Sequence, residues 1–581
     1  MTPMSKLLTA CVMSLAIGGE FAAHAATLPQ LPQAQVNVTM PTDTGSTLNA
    51  TCGTLQAQLN TAAALNVNLT HRIILATGTT CTGAYMLPSH TGGTGWILLT
   101  GPNLASLPPP GTRVSLSDAA LMPKIQYGQS ADNATISAAS GAQRYRIIGI
   151  EFLQNDAFSP NYNFIIMGRT NGTGFNTGYL IVDRSILRDI GAVKKTIRAV
   201  YASADVGNVA LVDSYCAGIA RVGQEAQCFS MEMNPGPILV QNNFLEAAGE
   251  NTMLCGGDDP RSAAEVPSDA TFRLNHYSVN SAWYAQAGGY VVKSLFELKC
   301  GVRVLVEGNT FENMAWDGGG NAFRLTVRNV NGPGTNADVS DLTVRYNLVR
   351  NVTNFINSFG ADDQGGPRIT KHSKRWYIHN NLIYGLGFKC GGGATCGALL
   401  SIQPGGGSCT DPGAGGTCKI EDLTFQHNTV DDIQSWAVNV AQAGQIDLDF
   451  KDNLINANNK YGLFGQYPLV FGTNLLNAAW AGPTGTMTNN SIAAIGNGDN
   501  SANYPQGTNT YPSSYTNFQW TNRAARDYTL QAGSPANNAA SDGTDQGVNF
   551  SAYNAARAGG SGGSADLVPP AAPQGVFIRL N

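Results

Sequence analysis

The chain has 581 residues, of which only 13% are charged, 43% are hydrophobic and 67 are glycine. This composition is too apolar for a disordered chain, and beyond the first 25 residues no apolar run reaches the length of about 18 residues that a membrane-spanning helix needs. The formal net charge of −5 provides no overall attraction for nucleic acid. We therefore expect a glycine-rich globular body with no membrane span and no nucleic-acid partner.

The first 25 residues have the pattern of a secretory signal peptide. An apolar stretch at 7–17 follows a lysine, and Ala23-His24-Ala25 fits the small-x-small motif that signal peptidase cuts. We therefore expect a secreted protein, extracellular or periplasmic, whose mature chain begins near Ala26.

Ten cysteines remain once the expected signal peptide, which contains Cys11, is removed. An even number of cysteines in an exported chain favours disulfides over metal-bound thiolates. Two cysteines flank the first segment of the mature chain, and four others could staple a glycine-rich insertion as two local pairs; these are Cys52 and Cys81, Cys390 with Cys396, and Cys409 with Cys418. The sequence leaves the pairing of the central four open, namely Cys216, Cys228, Cys255 and Cys300.

The first predicted element is a helix at 54–65, where TLQAQLNTAAAL has an amphipathic pattern. Thr54 is the predicted N-cap, since a threonine side chain can accept a hydrogen bond from a free amide of the first turn. Because the helix comes just before the repeats, we expect it to cover the exposed end of the first repeat.

One short pattern recurs through the rest of the chain: alternating apolar residues, a polar residue, an asparagine and another apolar residue. Its clearest copies are ILVQNNFL, VLVEGNTF, LTVRYNLV, WYIHNNLI, LTFQHNTV and LDFKDNLI. The aligned asparagines are Asn243, Asn309, Asn347, Asn381, Asn428 and Asn453, and weaker copies align at Gly149, Ser185, Ser214, Asn275 and Asn490.

The spacing of these copies, 25 to 47 residues, suits one coil of a solenoid that is built from short strands and loops of variable length. We predict an all-β fold, a single-stranded right-handed parallel β-helix of roughly 10–12 coils with an N-terminal capping helix. Stacked strands are about 4.8 Å apart, so the asparagines can bond to one another along the stack. We interpret this column as structural.

The pattern divides the chain into five segments. They are a signal peptide at 1–25, an N-terminal cap with the first coils at 26–120, the β-helix at 121–495, a C-terminal closing segment at 496–555, and a Gly/Pro-rich linker and tail at 556–581.

From about residue 44 to 547 the chain resembles bacterial right-handed β-helix proteins of the pectate-lyase-like superfold, most distinctly in VGQEAQCFSMEMNPGPILVQNNFLEAAGEN. About thirty-five residues further resemble the polysaccharide lyase family that includes chondroitinase B and alginate lyases. In that family a strand ending in Lys is followed, one coil later, by a strand that reads roughly Leu-Thr-Leu-Arg; here FELK ends at Lys299 and LTVR ends at Arg328. The resemblance implies that Lys299 is the catalytic base and Arg328 the catalytic arginine.

Strand alternation gives an independent prediction of which side chains point outward. If Phe296 and Leu298 point into the core, the residues between and after them point out. The same reasoning on neighbouring coils predicts one outward stripe of Glu232, Glu297, Lys299, Arg324, Arg328 and Gln403. Because charge is scarce in this chain, its concentration on one face indicates a site.

The stripe suits β-elimination in a uronate-containing polysaccharide. A lysine flanked by arginines fits the base, because neighbouring positive charge disfavours the protonated form. Arg324 or Arg328 would hold the substrate carboxylate in a bidentate pair. Gln403 and Trp316 are candidate substrate-binding residues, the tryptophan by stacking on a sugar ring.

Calcium is the cofactor that these residues allow. Glu232 and Glu297, with Asp258 and Asp259, could bind Ca²⁺, which prefers carboxylate oxygens. The family's paired acidic ligands are reduced here to Glu297, which lies two residues before Lys299.

Two other functions stay open. A glycoside hydrolase needs two carboxyl groups about 5–9.5 Å apart, and Asp258 or Asp259 with Glu232 or Glu297 could supply them. A non-catalytic carbohydrate-binding protein or surface adhesin would need no site, but would show more uniform coils. A lyase ranks first, and we expect it to be a monomer with a polysaccharide as its partner.

Overall fold

The computed structural model describes residues 26–128, 133–157, 161–168, 177–204, 206–257, 260–315, 320–330, 332, 334–362, 368–390, 396–403, 409–411, 418–440, 446–458, 463–466, 470–471, 486–496, 500–504 and 507–559. Within these ranges, no helix is both long and apolar enough to cross a membrane. The predicted signal peptide, most of the predicted tail, Asp258, Asp259 and Trp316 lie outside the described residues.

The described chain forms 42 strands and two α-helices. Strands β1 to β14 are Thr47–Ala50, His71–Leu75, Thr80–Gly83, Tyr85–Leu87, Ile97–Thr100, Lys124–Tyr127, Ala134–Ala138, Gln143–Ile148, Glu151–Leu153, Asn161–Gly168, Thr177–Asp183, Ile186–Arg188, Thr196–Ala204 and Val206–Val212. Strands β15 to β28 are Tyr215–Ile219, Gln227–Met233, Ile238–Gln241, Phe244–Ala247, Glu250–Leu254, Ser268–Arg273, His276–Ser278, Ser294–Leu298, Gly301–Glu307, Thr310–Met314, Asn321–Thr326, Val339–Arg345, Leu348–Val352 and Asn354–Phe359. Strands β29 to β42 are Lys374–His379, Leu382–Leu386, Leu400–Gln403, Ile420–Gln426, Thr429–Asp431, Val438–Val440, Ile446–Lys451, Leu454–Asn456, Phe464–Gln466, Val470–Phe471, Thr486–Thr488, Ser491–Ala493, Trp520–Asn522 and Asp527–Leu530. The helices are α1, Leu55–Ala64, and α2, Phe550–Arg557.

Every third strand joins the same sheet, and this arrangement defines a parallel β-helix. Sheet 1 has 14 strands and runs from β1 and β2 through β5 to β39, sheet 2 runs from β3 to β40, and sheet 3 runs from β4 to β38. Neighbours in the three sheets pair in parallel, except β37 and β38. Twelve complete coils result, and we number them from coil 1 (β2–β4) to coil 12 (β35–β37). The predicted right-handed parallel β-helix is confirmed, at the upper end of the predicted coil number.

The core is a continuous column of apolar side chains inside the three sheets. Phe296 on coil 7 lies between Phe272, at 4.9 Å between ring centroids, and Phe323 of coil 8, at 5.6 Å. All three rings are fully buried. Burial of each such ring contributes about 1.5–3 kcal/mol, so the stack is held mainly by contacts between adjacent coils.

The asparagine column forms as predicted. The backbone N–H and the Nδ2 of each asparagine donate to the Oδ1 of the asparagine on the next coil, at 2.9–3.2 Å, from Asn243 to Asn490. Ser185 and Ser214 continue the column toward the N-terminus. Asn509, which the sequence pattern does not reveal, accepts the last pair of bonds.

Helix α1 covers the first coil, as predicted, with Leu55, Leu59 and Ala62 fully buried. Thr54 occupies the N-cap position, but its side chain makes no capping bond to the helix. Its Oγ1 instead accepts a hydrogen bond from the amide of Thr51 at 2.9 Å. The cap is therefore held by apolar packing.

Five disulfides join all ten cysteines of the described chain. The local pairs Cys390–Cys396 and Cys409–Cys418 are present, and Cys52 pairs with Cys81. The central four, left open by the sequence, pair as Cys216–Cys228 and Cys255–Cys300.

Both ends of the described chain run lengthwise along the outside of the solenoid. The N-terminal segment 26–44 follows sheet 1, where the amides of Gln30 and Gln33 donate to Asp341 and Asp269, two coils apart. We call it the N-terminal strap.

The C-terminal segment 500–559 turns back over sheet 2, and we call it the C-terminal strap. Its Trp520, Tyr528 and Tyr553 join Leu348 and Leu382 of sheet 2 in a second apolar cluster. Helix α2 ends at coil 8, where Arg557 donates to the carbonyl of Asn309 at 2.7 Å. The strap therefore crosses the outer face of several coils instead of only closing the end of the stack.

Candidate functional site

Sheet 3 carries a row of outward side chains in register on seven successive coils. The row consists of Tyr201, Ser230, Met253, Glu297, Arg324, Asn357 and Ser401. Phe296 and Leu298, on either side of Glu297, are fully buried in the core. The alternation that placed Glu297 and Arg324 on the outer face is thus confirmed, and these two residues are direct neighbours on coils 7 and 8.

Lys299 and Arg328 also lie on adjacent coils, immediately after β22 and β25. The amide of Arg328 donates to the carbonyl of Lys299 at 2.9 Å, and the amide of Lys299 donates to the carbonyl of Leu254 at 3.0 Å. The Lys299 side chain is 11% exposed, and its Nζ lies 3.9 Å from Glu297 Oε1. Lys299, the expected base, therefore has a carboxylate as its neighbour, whereas the sequence analysis predicted neighbouring arginines.

Two glycines make room for the Lys299 side chain. A Cβ added at Gly256 would lie 2.5 Å from Lys299 Cδ, and one added at Gly257 would lie 2.2 Å from Glu232 Oε1. Gly256 also has φ +109°, which other residues rarely adopt. Glu232 of coil 5 and Lys299 of coil 7 thus reach the same gap from opposite sides.

Glu232 has a second neighbour that sequence reasoning missed. The Tyr201 hydroxyl of coil 4 hydrogen-bonds to its carboxylate. Burial, and then the charge of Glu232, raise the pKa of Tyr201 above its ordinary value. Tyr201 is therefore a neutral donor at neutral pH.

Lys293 is the centre of the largest charge cluster on this face. Its Nζ lies 2.7 Å from Glu297 Oε2, 2.9 Å from Glu250 Oε1 and 3.2 Å from Glu225 Oε1. Burial alone would lower the pKa of Lys293, but the three carboxylates outweigh it and raise the pKa. Burial opposes ionisation of Glu225 as well, yet Lys293 and Lys299 bring its pKa below the usual value.

Arg328 is positioned by a buried carboxylate. Its Nη1 lies 3.5 Å from Asp362 Oδ1, and the other oxygen of Asp362 accepts the amide of Asn329 at 2.8 Å. The Arg328 side chain is 13% exposed. Asp362 therefore restrains Arg328 while leaving part of its guanidinium accessible. Arg324, in the outward row, is also partly exposed.

The remaining predicted residues are dispersed. Gln403 lies at the end of β31 on coil 10, three coils from Lys299, and its Nε2 donates to Ser401 Oγ at 3.0 Å. Trp316 lies outside the described residues. Trp283, another tryptophan of the chain, is buried in the core and has a packing role.

The described carboxylates do not fit a calcium ion. Among the described residues, no group of three or more histidine, cysteine, aspartate or glutamate side chains is arranged to hold a metal. The three carboxylates that do converge already surround the Lys293 ammonium. A calcium site here would depend on Asp258 and Asp259, which lie outside the described residues, so the calcium prediction stays a prediction.

Sequence reasoning missed Lys293, Glu225, Glu250 and Asp362. Lys293 and Asp362 lie just outside strands, and Glu225 lies in a loop before β16, so alternation says nothing about their direction. Only for Glu250 could the sequence have given a clue. Glu250 is the first residue of β19 and pairs with Gln227 of the neighbouring strand β16.

No protein-family model matches the chain, and no curated protein matches it. Solved structures give weak similarities. A mannuronic-acid-specific polysaccharide family 6 lyase from human gut microbiota is 12% identical, covering 77% of this chain and 86% of that one, with a TM-score of 0.42. An alginate lyase of the same family is 11% identical over 87% of this chain and 58% of that one, with a TM-score of 0.40. The A-module of a mannuronan C-5 epimerase from Azotobacter vinelandii is 10% identical over 80% and 95%, with a TM-score of 0.31. With these TM-scores the similarities carry no argument, and the fold rests on the three sheets themselves.

Proposed function

We propose that the outer face of sheet 3 at coils 5 to 8 is the active site of a polysaccharide-degrading enzyme, and specifically of a lyase that cleaves a uronate-containing glycan by β-elimination. One observation carries the proposal: Glu297, Lys299, Arg324 and Arg328 lie on two adjacent coils of one outward face. In a chain with so few charged residues, this arrangement supports the proposal that a base and two carboxylate-binding groups act on one sugar unit.

The residues divide the reaction between them. Arg324 or Arg328 pairs with the uronate carboxylate, which makes the C5 proton more acidic. Lys299, acting in its deprotonated form, takes that proton, a double bond forms between C4 and C5, and the C4–oxygen bond breaks. The leaving oxygen takes up a proton from solvent and Lys299 releases the one it gained, so that no proton is consumed overall. Glu297 and the gap at Gly256 position Lys299, while Lys293 compensates the charge of Glu297.

Export is part of the proposal. The five disulfides suit an oxidising compartment, where a polymeric substrate would be met. The signal-peptide pattern of residues 1–25 supports the same location.

The test is to incubate the mature protein with a panel of uronate polymers and to follow the ultraviolet absorbance of the unsaturated product. We expect a rise with at least one polymer and its loss in Lys299→Ala. Lys451→Ala, a lysine substitution on sheet 1, is the matched control and should keep full activity. If new reducing ends form without the rise in absorbance, the enzyme is a hydrolase and the lyase proposal is wrong. If neither signal appears, the remaining candidate is a protein that binds polysaccharide without cleaving it.

A further inference from the structure

A cleft of about 1100 Å³ lies on the outer face of sheet 2, apart from the sheet 3 site. Its floor is formed by β18, β21, β24, β27 and β30. One wall is the 281–289 loop, and the opposite wall is the C-terminal strap, with Arg526, Tyr528 and Tyr553 among its lining residues. Its volume is slightly above the range for small-ligand pockets, about 300–1,000 Å³, so it has room for several sugar units.

The floor of the cleft contains a buried carboxylate, Glu312, which is hydrogen-bonded to His276 and Arg350. Glu312 accepts a hydrogen bond from His276 at 2.8 Å and another from Arg350. Burial opposes its ionisation, but His276 and Arg350 outweigh burial and lower the pKa of Glu312. Since its charge is already balanced inside the protein, Glu312 does not repel an anion in the cleft.

Glu246 lies two coils from Glu312 on the same sheet and also lines the cleft. Its carboxyl group accepts the amide of Gly218 at 3.1 Å and a hydrogen bond from the Asn280 side chain. Burial raises the pKa of Glu246, which favours its neutral form. The floor therefore offers hydrogen-bonding groups, and the charge of Glu312 is balanced by Arg350.

The rim of the cleft presents two exposed cations beside aromatic rings. Lys389 Nζ lies 5.1 Å from the ring centroid of Tyr284, and the Arg526 guanidinium lies 4.8 Å from that of Tyr384. The Arg526 side chain is 46% exposed and is only 3.6 Å from Asp431, whose closer partner is Arg523 at 2.8 Å. Among the described residues, Lys389 has no carboxylate within ion-pair distance.

We infer that this cleft is a second ligand site, which binds an acidic oligosaccharide with its carboxylates at Lys389 and Arg526 and its rings against Tyr284 and Tyr384. Aromatic edges and faces suit the apolar faces of sugars, and exposed cations suit their carboxylates. The site does not depend on catalysis at sheet 3, because the two groups of residues share no side chain.

The experiment is a calorimetric titration of the Lys299→Ala protein with size-defined oligouronates and with neutral oligosaccharides of equal length. We expect two binding events with the oligouronates. The added pair Lys389→Ala and Arg526→Ala should weaken one event by about tenfold to a hundredfold, as expected for the loss of two exposed charge-assisted contacts, and should leave the other event unchanged. Arg526→Lys, which keeps the charge, should lose less.

A second variant tests the place of binding without altering charge. Ser281 is exposed and lines the cleft, so Ser281→Trp should block the same event while thermal unfolding stays unchanged. In the wild-type background, neither the rim pair nor Ser281→Trp should reduce cleavage of a short substrate.

The inference is overturned if the rim variants and Ser281→Trp leave both events intact, or if neutral oligosaccharides bind the cleft equally well. Absence of cleavage by the wild-type protein would instead remove the proposed function, and the titration could then be made on the wild-type chain directly.

Discussion

The asparagine column and the outward row of sheet 3 are both polar, both repeat once per coil and both lie in register, yet they have different consequences. In the column each asparagine is bonded to an identical residue on the next coil. In the row, unlike neighbours such as Met253, Glu297 and Arg324 follow one another, and their partners come from outside the row. Identical residues in the column satisfy one another's hydrogen bonds. Unlike residues in the row do not pair in this way, so their polar groups can interact with a ligand.

This contrast predicts that changes on the face that carries the row affect activity, whereas changes in the column affect stability. The largest effect is expected for Lys299→Ala, which should lower the rate of cleavage by about a hundredfold to ten thousandfold. The free energy of unfolding should change little, because Glu297 keeps Lys293 as its closer partner. Kinetics and denaturant unfolding on the same preparation check both parts, and equal losses in both would contradict the contrast.

Lys293→Met is expected to behave unlike Lys299→Ala and to destabilise the protein. It leaves Glu225, Glu250 and Glu297 without their shared counter-charge, and removal of one partner from a buried ion pair costs about 3–5 kcal/mol. Urea unfolding measures the loss, and Lys293→Arg is the matched control that keeps the charge. A free energy of unfolding equal to that of the wild type would show that the cluster is solvated.

Asn309→Ala tests the middle of the column. It removes the acceptor of two bonds from Asn275 and the donor to Phe272 O, so buried polar groups lose partners at about 1–3 kcal/mol each. We expect a loss of about 2–4 kcal/mol in the free energy of unfolding, with unchanged activity in the folded protein. Asn509→Ala, at the end of the column, should lose less, and an equal loss would argue against a continuous network.

His379, next to the column, gives a smaller and pH-dependent effect. Burial, then the charges of Arg345 and His427, lower the pKa of His379 from 6.5 to about 3. Between these values the unfolded state binds more protons than the folded state, so the free energy of unfolding falls as the pH decreases from about 6.5 toward 3, by about 1 kcal/mol per pH unit. His379→Phe should flatten this part of the profile, measured by unfolding at pH 7, 6, 5 and 4. An unaltered slope would assign the acid sensitivity to other groups.

Calcium removal is expected to have the smallest effect. Lys293 already occupies the position between Glu297, Glu250 and Glu225, so a chelator should change the cleavage rate by less than about twofold, far below the cost of losing a required metal. A loss of activity that added Ca²⁺ restores would bring back Glu232 and Glu297 with Asp258 and Asp259 as ligands.

The same contrast explains what the sequence could predict. The column repeats one residue type, so its position and role were readable from ILVQNNFL to LDFKDNLI, and strand alternation placed Glu297, Arg324 and Lys299 correctly. Lys293 and Asp362 were missed because loops position them. The sheet 2 cleft was missed because Arg526 and Tyr553 line the same cleft as Glu312, more than two hundred residues earlier in the chain, only after the C-terminal strap has folded back.

The two straps alter how such a stack can come apart. A bare solenoid loses its terminal coils one at a time, since each coil contacts only its neighbours. Here Gly547 bonds to Asp452 of coil 12, Asn549 to Asn380 of coil 10 and Arg557 to coil 8, while the N-terminal strap ties down the opposite side. Peeling from the C-terminal end must first detach a segment that spans five coils, so the last coils are expected to open together instead of one at a time.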